Sequence, residues 1–256
     1  MAIDYYGRFP CKVRDAVDER ALLNMEKARN RAEAVIEMMR ADTGSHNDLP
    51  PSEWTFDVLV RGPEGEQRQT VRVGDLLQTA APLAQLASHC EGCPFQFNGW
   101  DFGCGGAINY PISAAAENWL MSCLPDNLDS HAGKFFVRAI NDYGFDGVGA
   151  QAARQRGDIF ESPQAAVRKW GSLFSKKTAV TSNQIFHMLF GVGHLSPIHA
   201  KSAAHILGFV DEAGQPVNGA GQQANASDDD GTRQMKAFLR VAAAAGTRGT
   251  EVFVDS

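Results

Sequence analysis

The chain has 256 residues, of which 44% are apolar and 21% are charged, and its formal net charge is −6. A chain of this length and composition can bury a substantial core, so wholesale disorder is excluded. The negative balance argues against a globally basic nucleic-acid-binding protein, although it leaves room for local basic patches.

The cellular setting is predicted from two further patterns. No apolar run is long enough to cross a bilayer, so we expect no membrane partner. The first residues lack the basic start and apolar stretch of a secretory signal, which favours a cytoplasmic protein. In a reducing compartment, clustered cysteines favour metal binding or reactivity over structural disulfides.

The predicted elements of the first third, in chain order, are a helix, a hairpin and a second helix. Apolar residues recur at three- and four-residue spacing over about 15–40, which predicts a helix. Two strand-like runs flank a Gly-Pro-Glu-Gly turn between 54 and 73 and predict a β-hairpin. A helix follows over about 75–90, with a bend at Pro82.

Helix starts are predicted in the rest of the chain by capping patterns. These patterns are Ser113, Ser162 followed by Pro163, Thr181 with Gln184, and Ser196 followed by Pro197. The composition of 211–231 indicates a mobile loop, after which a helix and a last strand are expected.

Together these elements predict an α+β fold. It is predominantly helical, with a small sheet made of the β-hairpin plus the C-terminal strand. We expect one domain spanning 1–256, and no oligomeric state follows from the sequence.

The most distinctive motif is "HCEGCPFQFNGWDFGC", residues 89–104. Its cysteines run C-x2-C-x10-C, and Cys123 adds a fourth thiol. Zinc takes four thiolate or imidazole ligands, usually from two close pairs. Iron–sulfur clusters also take four cysteines, with less regular spacing and often a proline after a ligand. Phe95, Phe97, Trp100 and Phe102 would shield such a cluster.

The first hypothesis is therefore a metal-binding protein. Its predicted ligands are Cys90, Cys93, Cys104 and Cys123, with His89 or His131 as the alternative fourth ligand. An iron–sulfur cluster is the expected cofactor and zinc the alternative. The role is structural rather than catalytic, because no acid–base set accompanies the cysteines. A reduced thiol trio or a Cys90–Cys93 redox pair remains as the other interpretation.

A second hypothesis, a nucleic-acid or polyanion-binding module, comes from the charge of 162–210. This stretch contains five basic residues and no aspartate or glutamate. A glycine turn followed by a helix N-terminus offers N–H groups to a phosphate, and the turn resembles the helix-hairpin-helix element of DNA repair glycosylases. The predicted anion-binding residues are Arg168, Lys169, Lys176, Lys177, Gly191 and Gly193.

A third hypothesis makes the protein a cysteine hydrolase. Cys104 lies in the glycine-rich sequence "FGCGG", a setting typical of a nucleophile, and His194 or His131 would be its base. Whether the protein is an enzyme is left open by the sequence.

Overall fold

Helices dominate the structure, a computed structural model that describes residues 2–41, 49–62, 65–171, 178–219 and 221–255. It is 49% helical with 18% strand, which confirms the predicted α+β class. No helix in these described ranges is long and apolar enough to cross a membrane.

The elements alternate irregularly along the chain. The helices are α1 (Lys12–Ala16), α2 (Glu19–Ala41), α3 (Val73–Ala80), α4 (Leu83–Ala87), α5 (Ala114–Ser122), α6 (His131–Asp142), α7 (Val148–Arg156), α8 (Ser182–Phe190), α9 (Pro197–Ile206) and α10 (Asp230–Arg248). The strands are β1 (Ala2–Gly7), β2 (Thr55–Gly62), β3 (Gly65–Arg72), β4 (Gly105–Asn109), β5 (Val167–Trp170), β6 (Thr178–Thr181) and β7 (Val252–Asp255).

The chain divides into two compact units. The larger contains Met1–Phe9 and Pro94–Ser256, and the smaller contains Pro10–Cys93. The expectation of one domain over 1–256 is not tested by this division and stays a prediction.

The larger unit is built on a three-stranded antiparallel sheet in the order β4-β1-β7. Tyr5 of the central strand pairs with Gly106 on one side and with Val254 on the other. The predicted C-terminal strand is present, and its sheet neighbour is β1, a strand that the sequence pattern did not indicate.

Helix α10 forms the centre of this unit. Its residues Met235, Phe238, Leu239 and Ala242 have no exposed surface, and they recur at the spacing of a buried helix face. The helix packs against α9, α5, β1 and β4. The approach to α9 is close enough that a side chain at Gly246 would strike the backbone of α9, so only glycine fits there.

The smaller unit combines the β2–β3 hairpin with helices. The predicted hairpin is present, with Phe56 opposite Val71. A small core forms between α2, α3 and the residue before β2, and it includes Val35, Trp54 and Val73. Helix α3 ends before Pro82, where the sequence predicted a bend.

The helix expected after Ser162 and Pro163 is wrong, because the segment forms strand β5. Val167 pairs with Thr181 of β6, and Ser162 turns its hydroxyl to the Gln164 carbonyl instead of capping a helix. The guanidinium of Arg168 donates to backbone carbonyls at the C-terminal end of α5. These tertiary hydrogen bonds outweigh the local capping signal.

The segment predicted as a mobile loop has no helix or strand until α10 begins at Asp230, apart from one bridge between Val210 and Pro216 and with residue 220 outside the description. The backbone N–H of Val217 donates to the Phe209 carbonyl at 2.9 Å. The mobility expected of this segment stays a prediction.

Candidate anion-binding cleft

A cleft of about 380 Å³ runs along the C-terminal half of α10. Its floor is helix, where Arg240, Ala244 and Arg248 follow one another at four-residue spacing and so share one side of α10. Alanine has no side chain beyond Cβ, so the run "VAAAAG" leaves open space between the two arginines.

Two segments form the walls of the cleft. One wall is Pro94, Phe95 and Phe97, and the other is the stretch 215–218 with Phe209 behind it. Phe95 is held by a parallel stack on Phe9, with ring centroids 4.0 Å apart and planes inclined by 4°. Both walls are thus fixed by packing or backbone hydrogen bonds of the larger unit.

Both arginines lie over aromatic rings of the first wall. The guanidinium carbon of Arg240 is 5.4 Å from the Phe97 ring centroid, and that of Arg248 is 4.8 Å from the Phe95 centroid. Arg240 also donates to the Phe97 carbonyl at 3.2 Å. A guanidinium whose face covers a ring keeps its N–H donors at its edge, where a carboxylate or phosphate can accept them.

The charge balance of the cleft differs from that of the rest of the larger unit. This unit has eight arginines, and six of them pair with a carboxylate. The pairs are Arg8–Glu251, Arg138–Asp142, Arg154–Glu117, Arg156–Asp158, Arg168–Asp126 and Arg233–Asp230.

The remaining two arginines are Arg240 and Arg248, and both line the same cleft. Neither has an ion pair in the described part of the chain, and none of the described lining residues is an aspartate or glutamate. The positive charge of this cleft is therefore not neutralised by the protein.

The cysteines expected to bind a metal do not form a site. Among the described residues, no group of three or more His, Cys, Asp or Glu side chains could hold a metal ion. Cys90 and Cys93 belong to the smaller unit, while Cys104 and Cys123 belong to the larger. The hypothesis of a metal-binding protein is therefore wrong for this structure, and the iron–sulfur cluster and zinc expected with it are not carried further.

The local geometry of the cysteines shows why the spacing was misleading. The turn predicted for C-x2-C is present: Gly92 has a φ of +70°, and the Cys93 N–H donates to the Cys90 carbonyl at 3.0 Å. Cys90 is buried, and none of the five cysteines, all in described ranges, forms a disulfide. Burial raises the pKa of Cys123 to about 11, which disfavours the thiolate that a metal requires.

The alternative ligands and the proposed base are also dispersed. His89 is exposed in the smaller unit, and His131, at the start of α6, lies edge-on to His205 with ring centroids 5.7 Å apart. His194 lies on Phe253, and its Nδ1 accepts from the Val254 N–H at 3.2 Å.

Cys104 and His194 lie at opposite edges of the extended sheet. Cys104 accepts from Gly7 of β1, Gly7 pairs with Val252 of β7, and Val252 bridges Leu195. Three strand spacings separate the two ends of this series, roughly 14 Å. The structure therefore does not bring this nucleophile and base within hydrogen-bond reach.

The residues of the predicted basic surface have different environments. Arg168 is engaged with the α5 carbonyls and Asp126, Lys169 is exposed on β5, and Lys176 and Lys177 lie outside the described residues. Gly191 and Gly193 form the turn between α8 and α9, with a φ of +76° at Gly193. The structure does not gather these groups around a common cleft.

Sequence reasoning missed Arg240 and Arg248. The available signal was two arginines eight residues apart flanking an alanine run in the last predicted helix. The aromatic residues of the cysteine motif, interpreted as a shield for a cluster, are the ones that hold these arginines.

The fold and the cleft define an α+β protein, mainly helical, with an arginine-and-aromatic cleft on its longest buried helix. Comparisons with protein-family models, curated proteins and solved structures found no match for the chain. The functional argument therefore starts from the cleft itself.

Proposed function

We propose that this protein binds a small anionic ligand, bearing phosphate or carboxylate groups, in the cleft between Arg240 and Arg248. The observation that carries the proposal is the pairing pattern of the larger unit: six arginines have a carboxylate partner, and the two that have none share one cleft. In a chain of net charge −6, such a concentration of unpaired positive charge favours an external anion.

The chemistry of the cleft suits planar oxyanions. Each guanidinium presents a rigid fork of N–H donors that matches two oxygens of a carboxylate or phosphate. Such charge-assisted hydrogen bonds contribute about 1.5–3 kcal/mol each. The rings of Phe95 and Phe97 restrict the side chains beforehand, which reduces the entropy lost when a ligand binds.

The dimensions also suit a small ligand. A volume of about 380 Å³ lies in the range of small-molecule sites. Eight residues of helix separate the arginine Cα atoms by about 12 Å. Since both side chains are long, they can converge on one anion or hold two anionic groups of the same molecule.

The test is calorimetric titration of the protein with pyrophosphate and with citrate, and with uncharged adenosine as the neutral probe. Either anion is expected to bind with millimolar affinity or better, weakening as salt increases, and adenosine is expected not to compete. The double variant Arg240→Gln/Arg248→Gln should weaken anion binding at least tenfold.

The matched control is Arg138→Gln/Arg156→Gln, which removes the same charge from arginines with exposed side chains that pair on the surface. Its anion affinity should equal that of the wild type. Far-ultraviolet circular dichroism checks that α10 is intact, since a positive charge in its last turn also stabilises the helix by up to about 1 kcal/mol. Equal losses in the two double variants, or no anion binding by the wild type, would overturn the proposal.

A further inference from the structure

A second cleft, of about 300 Å³, adjoins the first along α10. Phe97 lines both clefts, so it forms their common wall. The second cleft uses the N-terminal half of the helix, from Asp230 to Ala237, and the first uses Arg240 to Arg248. Together they follow the whole helix, about 27 Å. We call the two clefts together the α10 groove.

The second cleft presents an aromatic side chain where the first presents charge. Trp100 lines it and is 39% exposed. The backbone N–H of Trp100 donates to Asn98 Oδ1 at 2.8 Å, and Asn98 Nδ2 donates to the Gly105 carbonyl. This short-range turn fixes the backbone that carries Trp100 onto the start of β4.

The second cleft carries no net charge from its ionisable lining residues. Arg233 pairs with Asp230, so these two charges cancel. Gln234 accepts the Asn109 N–H on its Oε1, and its Nε2 donors have no partner in the described part of the chain. The cleft therefore offers a stacking surface and a neutral amide, which suits an uncharged aromatic group.

A ligand that fills both clefts must join an anionic group to a neutral aromatic group. Single-stranded nucleic acid repeats this combination along its length. Proteins that bind it combine a positive groove for the backbone with aromatic side chains on which bases stack. A duplex would not fit this description, because its bases are stacked on one another and not available to Trp100.

We propose that the α10 groove binds single-stranded nucleic acid, with the phosphates at Arg240 and Arg248 and a base stacked on Trp100. This inference rests on the proposed anion binding and extends it to a substrate class. The Gln234 amide is placed to donate to a base edge, so it contributes a modest base preference rather than strict sequence readout.

The experiment measures fluorescence anisotropy of labelled oligothymidine of two, four and twelve nucleotides, with uridine oligomers and a DNA duplex in parallel arms. Affinity should rise from two to four nucleotides, since a site of this kind spans at least about four. DNA and RNA strands should both bind, and the duplex should bind at least tenfold more weakly.

Two sets of variants separate the halves of the groove. Trp100→Ala should weaken oligonucleotide binding about tenfold and leave pyrophosphate affinity unchanged, whereas Trp100→Phe should restore most of it. Tyr143→Ala removes another aromatic ring, 74% exposed and outside both clefts, and should have no effect. Arg240→Gln/Arg248→Gln should flatten the dependence of log affinity on log salt by about 1.4, about 0.7 for each phosphate contact.

Two results would overturn this inference while leaving the proposed anion binding intact. One is pyrophosphate binding that needs both arginines, with oligonucleotides bound no tighter than pyrophosphate. The other is oligonucleotide binding that is unchanged by Trp100→Ala or is matched by the duplex. Loss of pyrophosphate binding in the wild type would instead remove the anion site on which both proposals stand.

Discussion

The guanidinium of Arg154 and the carboxylate of Glu117 form an ion pair in the interior of the larger unit, with only 1% and 2% of their side chains exposed. Arg154 also donates to Asn183 Oδ1 at 2.6 Å and to the Ser162 carbonyl at 2.8 Å, and Ser182 donates to Glu117 at 2.6 Å. The pair thus joins α5, α7 and α8. Its stability depends on every member being present, because each one satisfies another.

Removing Arg154 should destabilise the protein strongly. Arg154→Met leaves the Glu117 charge buried without its partner, and we expect the free energy of unfolding to fall by about 3–5 kcal/mol. Chemical denaturation followed by circular dichroism measures the change. Arg156→Met on the same helix is the control, since the Arg156 side chain is 60% exposed, and it should stay within about 0.5 kcal/mol of the wild type. Similar values for the two variants would contradict this account of the pair.

A second buried pair joins the loop before α10 to that helix. Lys236 Nζ lies 2.8 and 2.9 Å from the two carboxylate oxygens of Asp228, and the side chains are 3% and 8% exposed. Asp228→Asn should lower the free energy of unfolding by about 3 kcal/mol, because Lys236 keeps only the Gln223 carbonyl and the Trp119 ring. Asp230→Asn, at a side chain 82% exposed, should change it by less than about 1 kcal/mol.

The same carboxylate should make stability depend on acid pH. Burial raises the pKa of Asp228, but hydrogen bonds from Lys236 and the Asn225 N–H, with the charges of Lys236 and Arg233, leave it below the ordinary value. The stabilisation is then complete above about pH 3.9, the usual pKa of the unfolded chain, and is lost as the pH falls through the folded pKa. Denaturation at pH 6 and pH 3 should show the wild type and Asp228→Asn converging at the lower pH. A constant difference between them would show that Asp228 does not titrate in this way.

His199 should contribute a pH dependence in a higher range. Burial lowers its pKa, which a hydrogen bond to the Met188 backbone only partly offsets, and its Nε2 is buried without a partner in the described residues. The folded state therefore favours neutral His199. Stability is complete above about pH 6.5 and falls as the pH drops below that value, because the unfolded chain takes up the proton more readily. His199→Gln should reduce the loss of stability between pH 7.5 and pH 5; an unchanged loss would assign it to other groups.

Cys123 should be slow to react with alkylating reagents. A thiol with a pKa of about 11 carries roughly a few hundredfold less thiolate at neutral pH than an ordinary cysteine. Iodoacetamide labelling at pH 7.5, with peptide mass spectrometry, should find Cys123 modified far more slowly in the native protein than in urea. Equal rates in the two conditions would mean that its burial is not maintained in solution.

The sequence predicted those elements that are determined by local chemistry. The capping box of Thr181 and Gln184 is present, and Ser113 and Ser196 accept N–H groups at the starts of α5 and α9. These signals succeed because a cap satisfies groups within one turn of itself. The signal at Ser162 failed because the following residues gain hydrogen bonds with distant parts of the chain.

The candidate site was beyond local reasoning for the same reason. The pattern around Cys90 and Cys93 predicted the turn correctly but not which neighbours it would meet. The partners of Phe95 and Phe97 are arginines about 145 residues further along the chain, brought close only by tertiary folding. Sequence spacing shows which groups could share a turn, and not which groups the fold assembles into a cleft.

The central position of β1 has a consequence for how the protein acquires its structure. This strand, residues 2–7, is paired on one side with 105–109 and on the other with 252–255. Contacts between such distant residues close large loops and slow the search for the native state. The first strand of the larger unit therefore completes its pairing only when the last has been synthesised, whereas the pairings of 10–93 are all between near neighbours and can form earlier.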